Sequence, residues 1–215
     1  MRISPSIIAT DYKNEKTLTE MLGLLEKAQA SMVHLDVMDG KYVKNKTFDH
    51  TFVDSIKNKT WLMTDVHLMV QNPDEVVDDY IKAGSDIITV HINQCKNLEE
   101  TLKKIKAKNL LTGVALNPKD SSMKLIDILK TGLVDIVLVM GVEPGACGQE
   151  FIPGMGEKVA EVREMSKNVL IEVDGGVTLK NAKMLKKMGA NILVSGSSIF
   201  GAKDPRKAVG QFKRI

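Results

Sequence analysis

The chain has 215 residues, 43% hydrophobic and 27% charged, a balance that excludes a disordered chain. That length suits one large domain burying about 70% of the surface its unfolded form exposes. No apolar run approaches the roughly 20 residues of a spanning helix, and the net charge of +3 comes from lysines scattered over helical faces, with aromatic residues at only 4%, so neither a membrane protein nor a nucleic-acid binder is expected.

From the amino terminus, which lacks the apolar stretch of a secretory signal and so predicts a cytoplasmic location, β-branched runs alternate with longer amphipathic segments. Strands are predicted at residues 2–6, 32–37, 62–68, 86–91, 111–116, 135–140, 169–174 and 192–195. Apolar residues at helical spacing predict helices that include 18–30, 75–83, 98–107, 123–130 and 182–188, with Gly84, Gly132 and Gly189 placed where helices stop. Eight βα units without a composition break predict an α/β fold closed into a (β/α)8 TIM barrel, a single domain over residues 1–215, with an open doubly wound sheet as the alternative. A barrel demands that its active site lie at the carboxyl ends of the strands. Cys95 and Cys147 have no CxxC spacing and are expected as free thiols.

The polar residues meet that demand. Side chains alternate faces along a strand, so His34, Asp36 and Met38 share one face of the second strand, Asp65, His67 and Met69 one face of the third, and Glu172 and Asp174 one face of the seventh. Buried charge is costly unless it is paired or coordinated. Two imidazoles and two carboxylates suit Zn²⁺, Fe²⁺, Mn²⁺ or Co²⁺, and the lack of thiolate argues against a structural zinc or iron–sulfur site; separately hydrogen-bonded polar residues are the simpler alternative. Small-residue loops follow the last three strands at Pro144-Gly145-Ala146-Cys147-Gly148-Gln149, Gly175-Gly176-Val177 and Gly196-Ser197-Ser198. Loops at these positions commonly bind phosphate through backbone N–H groups.

In order and spacing, Ser4-Pro5-Ser6-Ile7, His34-Leu35-Asp36-Val37-Met38-Asp39-Gly40, Asp65-Val66-His67-Leu68-Met69, Ile88-Thr89-Val90-His91, Leu116-Asn117-Pro118, Glu172-Val173-Asp174-Gly175-Gly176-Val177 and Gly196-Ser197 resemble the ribulose-5-phosphate 3-epimerase family nearly from end to end. The resemblance implies one divalent metal, Zn²⁺ or Fe²⁺ foremost with Mn²⁺ or Co²⁺ as alternatives, bound by His34, Asp36, His67 and Asp174. It implies Asp36 and Asp174 as general acid and base in a two-base exchange at C3 of a ketose phosphate, through a metal-stabilised enediolate. Substrate contacts are implied for Ser6, His67, the apolar cover Met38, Met69 and Met140, and the phosphate-side residues Gly145, Ala146, Cys147, Gly148, Gly175, Gly176, Gly196 and Ser197. A homo-oligomer is also implied.

The chain departs from the family at two places. Ala146-Cys147 stands where Phe-Gly is usual, which strains the loop if Cys147 needs a positive φ, and Lys44 and Lys46 replace the usual proline and aliphatic residue. Asp65 and Glu172 either orient the imidazoles or form a structural ion pair. His91 reads as a hydrogen-bonded rim residue rather than a ligand. A hexulose phosphate such as D-allulose 6-phosphate is the alternative substrate, and a barrel that binds a sugar phosphate without turning it over is the alternative function. The Asp-x-Lys-x-x-Asp arrangement of related synthases and decarboxylases is absent, since Asp36-Val37-Met38-Asp39 has no such lysine.

Overall fold

A computed structural model describes residues 1–215. Its strands are β1 (Arg2–Pro5), β2 (Met32–Met38), β3 (Met63–Met69), β4 (Ile87–His91), β5 (Leu111–Leu116), β6 (Ile136–Met140), β7 (Leu170–Asp174) and β8 (Ile192–Ser195). Its helices are α1 (Glu15–Lys27), α2 (His50–Lys57), α3 (Pro73–Lys82), α4 (Leu98–Lys106), α5 (Ile126–Lys130), α6 (Met155–Met165), α7 (Leu179–Met188), α8 (Ser197–Phe200) and α9 (Pro205–Lys213). The hydrogen-bonded order runs β1-β8-β7-β6-β5-β4-β3-β2, all parallel. A parallel bridge between Ser6 and His34 spans the remaining seam between β1 and β2, so the sheet nearly closes into the expected barrel rather than an open sheet. No helix is long and apolar enough to cross a membrane.

The element ends shift for local reasons. The first helix starts at Glu15 rather than 18 because Asn14 caps it, its side chain accepting from Thr17 N at 3.1 Å. Pro73 opens α3, where its missing N–H leaves no helical bond unmade. The predicted helix at 123–130 divides into a 3₁₀ turn, Ser122–Leu125, and the short α5. Gly189, at φ 113°, ends α7 as expected.

Packing forms two layers around the strands. Outward residues such as Leu35, Val66, Val90, Val139 and Val173 join helix residues such as Leu22, Ile56, Leu102 and Leu185 in one core of 44 buried side chains. Inside, Met32, Ile87, Ile136 and Ile192 form an apolar plug at the amino-terminal end of the strands. Above the plug the interior turns polar, with Ser4, Asp65, Thr89 and Glu172 all fully buried. Ionisable side chains are thereby lifted to the carboxyl-terminal mouth on a dry, rigid base.

The opposite rim is fastened by a repeated device. Asp86, just before β4, accepts from Thr64 N (2.8 Å) and from Lys57 Nζ (2.5 Å). Asp135, just before β6, accepts from Thr112 N (3.0 Å) and Lys106 Nζ (2.5 Å). Asn191, just before β8, accepts from Ile171 N (2.9 Å) and Arg163 (2.6 Å). Each ties the preceding strand to its successor at the end remote from the mouth. Burial alone would raise the Asp135 carboxyl; Lys106 and the Thr112 donors outweigh it and hold the group below its ordinary value. A depressed carboxylate contributes stability above the ordinary carboxylate range and loses it as pH falls through the folded value. Asp135→Ala is therefore expected to cost about 1–3 kcal/mol at neutral pH, with turnover little changed. Thermal melts across pH should show the gap to wild type narrowing below about pH 4, and a gap that widens on acidification would contradict the assignment.

Candidate active site and metal centre

The register of β2 and β3 sets Asp36 opposite His67, and that of β6 and β7 sets Met140 opposite Asp174. His34, Asp36, His67 and Asp174 thus converge, each offering one ligand atom within 4.8 Å of the others. His34 Nε2 lies 3.3 Å from Asp36 Oδ1 and 3.9 Å from Asp174 Oδ2; His67 Nδ1 lies 3.2 Å and 3.7 Å from the same two atoms. His34 Nε2 is buried without a hydrogen-bond partner. An orphaned imidazole nitrogen aimed at two carboxylates is a poor arrangement for an empty core and a good one around a cation. The four side chains could hold a divalent ion, and their nitrogen and oxygen donors suit a borderline metal such as zinc or ferrous iron.

The cluster is oriented from beneath. Asp65 Oδ2 accepts from Ser4 Oγ at 2.7 Å and lies 2.7 Å from His34 Nδ1, which directs the other ring nitrogen upward. Asp65 pairs with His34, and neither Asp65 nor Glu172 has a lysine or arginine partner. Burial, followed by the nearby Asp65 charge, pushes the Glu172 carboxyl well above its ordinary value. Ser6 Oγ donates to Asp36 Oδ2 at 2.6 Å. Burial alone would raise Asp36, but His34 and then His67 outweigh it and hold the carboxyl far below the usual range. Asp174 goes the other way, pushed up to about 6 by burial and by the charge of Asp36, against the partly offsetting histidines. Two carboxylates side by side are thus separated in proton affinity, Asp174 holding a proton more readily than Asp36.

A cavity of about 390 Å³ opens above them. Its lining includes Ser6, Asp36, Met38, Met69, Met140, Gly145, Ala146, Cys147, Gly148, Asp174, Gly175, Gly176, Gly196 and Ser197, while His34 and His67 lie sealed below the floor. Met38 and Met69 pack with Val43 on one side, and Met140 packs with Val142 on another. No lysine, arginine or histidine lines the cavity. In the loop after β6, Gly145 (φ 116°) and Gly148 (φ 81°) carry the positive φ angles, and Ala146 and Cys147 do not, so the side chain at 147 strains nothing. Burial, followed by the charge of Asp36, pushes the Cys147 thiol up. Both cysteines are free. Lys44 and Lys46 are exposed and do not line the cavity. Gly176 (φ 65°) allows the loop after β7 to lie flat on Phe151, whose backbone nitrogen would stand 2.4 Å from an added Cβ.

Several residues at the mouth carried no individual signal in the sequence. Thr47 Oγ1 donates to Asp36 O (2.7 Å) and accepts from Met38 N (2.9 Å), pinning the loop after β2 to the strand it leaves. Asp39 accepts from the backbone nitrogens of Lys41, Tyr42 and Gln71 and shapes the same loop. Asn45 Nδ2 donates to Gly145 O at 2.7 Å, joining that loop to the glycine-rich one after β6. Tyr42 reaches His91 and Asn117. Asn117 follows a strand and precedes a proline, which marks a turn but no partner; Tyr42 gave no cue at all, because its contacts are 49 and 75 residues away. His50 and Trp61 lie outside the cavity.

The profile of the Ribulose-phosphate 3 epimerase family matches residues 2–200. The chain is 38% identical over 218 residues to ribulose-phosphate 3-epimerase of Bacillus subtilis, covering 99% of this chain and 98% of that protein. It is 41% identical over 217 residues to the chloroplastic ribulose-5-phosphate-3-epimerase of Arabidopsis thaliana, covering 98% of this chain and 75% of that one. A solved structure similar in fold alone is 3-hexulose-6-phosphate synthase from Salmonella typhimurium, with a TM-score of 0.71 at 16% identity over 100% of this chain and 97% of that one. With a profile match across nearly its whole length, full-length similarity to named epimerases and a barrel whose mouth gathers the expected histidines and aspartates, this chain belongs to the ribulose-phosphate 3-epimerase family and is a carbohydrate epimerase.

Proposed function

We propose that the chain interconverts D-ribulose 5-phosphate and D-xylulose 5-phosphate by moving a proton at C3 between Asp36 and Asp174. The observation that carries this reading is the pair itself: two carboxylates of different proton affinity side by side on the floor of one cavity. Inversion next to a carbonyl needs one group to remove the C3 proton and another to return a proton to the other face. In one direction ionised Asp36 takes the proton and neutral Asp174 supplies one; in the reverse direction the roles exchange. The hydrogen bond from Ser6 holds Asp36 Oδ2, leaving Oδ1 toward the two histidines. A divalent ion held by His34, Asp36, His67 and Asp174 would supply Lewis-acid stabilisation of the negative charge developing on the C2 and C3 oxygens.

Met38, Met69 and Met140 keep water from the reacting carbons, which strengthens the electrostatics beneath them. The phosphate goes to the far side of the cavity, at the glycine loops after β6, β7 and β8. With no basic side chain there, its partners are backbone N–H groups around Gly176, Gly196 and Ser197, which can approach the oxygens because nothing bulkier intervenes. Binding energy gained at that end orients C3 over the carboxylates. In this reading residues 1–215 act as one cytoplasmic domain within the homo-oligomer that the resemblance implies.

Asp36→Asn and Asp174→Asn should each lower kcat by about 10²–10⁴ or more, since each removes a proton carrier. In D2O the wild type should place deuterium at C3, and a product without it would rule out exchange through these groups. Ribulose 5-phosphate should be turned over with a higher kcat/KM than allulose 6-phosphate; the reverse order would assign the hexulose phosphate instead. Removing metal with a chelator should abolish turnover, and zinc or ferrous iron should restore it. Gly176→Ala should raise KM for the phosphorylated substrate by at least about tenfold, with kcat less affected, because remote binding is what it disturbs.

A further inference from the structure

One imidazole of the cluster is held from below by a carboxylate, and the other by something unlike it. His67 Nε2 points away from the carboxylates and meets His91 Nε2 at 2.8 Å, the two rings lying nearly parallel with centroids 4.9 Å apart. His91 is buried, and its second nitrogen, Nδ1, lies 3.2 Å from the hydroxyl of Tyr42. That hydroxyl lies 3.2 Å from Asn117 Oδ1 and 2.9 Å from Asn117 Nδ2. Asn117 is itself immobilised: its backbone nitrogen donates to Asp120 Oδ2 at 3.0 Å, and the buried Lys158 ammonium donates to the carbonyls of Asn117, Pro118 and Asp120 at 3.1, 2.6 and 2.6 Å.

We infer that His91 is a positioning residue that, anchored by Tyr42, fixes the tautomer and ring orientation of His67 so that a bare Nδ1 faces the cation site. Two ring nitrogens at hydrogen-bond distance need one proton between them, which leaves two arrangements. If His91 donates, the proton of His67 sits on Nδ1 against Asp36 and no lone pair is left for a cation. If His67 donates, its Nδ1 is free to ligate, His91 must carry its own proton on Nδ1, and that proton goes to the Tyr42 oxygen. Tyr42 then gives its hydroxyl proton to Asn117 Oδ1, and every donor from His67 outward has an acceptor. The chain ends on the turn held by Lys158, a fixed point of the scaffold. A metal-ligating imidazole commonly has its other N–H bonded in this way. Here the partner is a second histidine and a loop tyrosine, so the loop after β2 contributes to the metal centre although it supplies no ligand.

The inference rests on the metal reading above, and its test separates the two. Zinc affinity is measured by competition with a chromophoric chelator for wild type, His91→Leu, His91→Gln and Tyr42→Phe. Imidazole ¹⁵N shifts are recorded for the zinc-loaded wild type. His91→Leu should weaken zinc binding by about 10–100-fold. His91→Gln, whose amide can accept from His67 and donate to Tyr42, should stay within about threefold of wild type, and Tyr42→Phe should fall between the two. The shifts should show the proton of His67 on Nε2 and that of His91 on Nδ1. Zinc affinity in a folded His91→Leu protein equal to wild type would overturn the inference. Should that variant fail to fold, unchanged affinity in Tyr42→Phe or a proton on His67 Nδ1 in the zinc-loaded protein would overturn it equally. A wild type that takes up no zinc overturns the metal reading and this inference together, whereas uptake indifferent to both residues overturns this inference alone.

Discussion

Two imidazoles and two carboxylates brought within 4.8 Å of one another, largely shielded from water, are the constraint on which the mouth of this barrel depends. Burial penalises every charged form, so the cluster persists only where its members neutralise, orient and hydrogen-bond one another. The apolar plug of Met32, Ile87, Ile136 and Ile192 closes the barrel from below and leaves the cluster one open side. The methionines narrow that side. The same burial that makes the cluster costly separates the two aspartates in proton affinity, which the proposed exchange between them would use.

The supports of the two imidazoles differ in kind. His34 is set by Asp65 and Ser4, residues on neighbouring strands, so its orientation is as rigid as the sheet. His67 is set through His91 by Tyr42, which lies in a loop. That loop is also tied to the glycine-rich segment after β6 through Asn45, and Val43 from the same loop packs on Met38 and Met69. One segment therefore reaches the histidine beside the cluster, the methionines and the glycine-rich loop at once. Its exposed lysines sit on its outer surface, while Tyr42 and Val43 face inward.

Much of this was legible because it is periodic. Alternation of apolar and polar residues in β2, β3 and β7 named the faces of His34, Asp36, His67 and Asp174, since a parallel strand leaves its side chains only two directions. Eight similar units predicted closure, and the strands form a nearly closed order. The glycines at 145 and 148 marked a small-residue loop, although the tolerance for Cys147 between them depended on which residues take positive φ angles.

By itself the sequence determined the fold class, the strand faces and the residue types gathered at the mouth, because these follow from local patterning and from the rule that a βα barrel works at its carboxyl ends. Only the tertiary structure decided which nitrogen of each histidine faces the carboxylates, that Asp65 reaches His34, that Asp36 and Asp174 differ in proton affinity, and that Tyr42 and Asn117 reach His91. Those depend on the burial of each group and on side chains 31 to 75 residues apart meeting at fixed distances, and no local pattern in the chain encodes such a meeting.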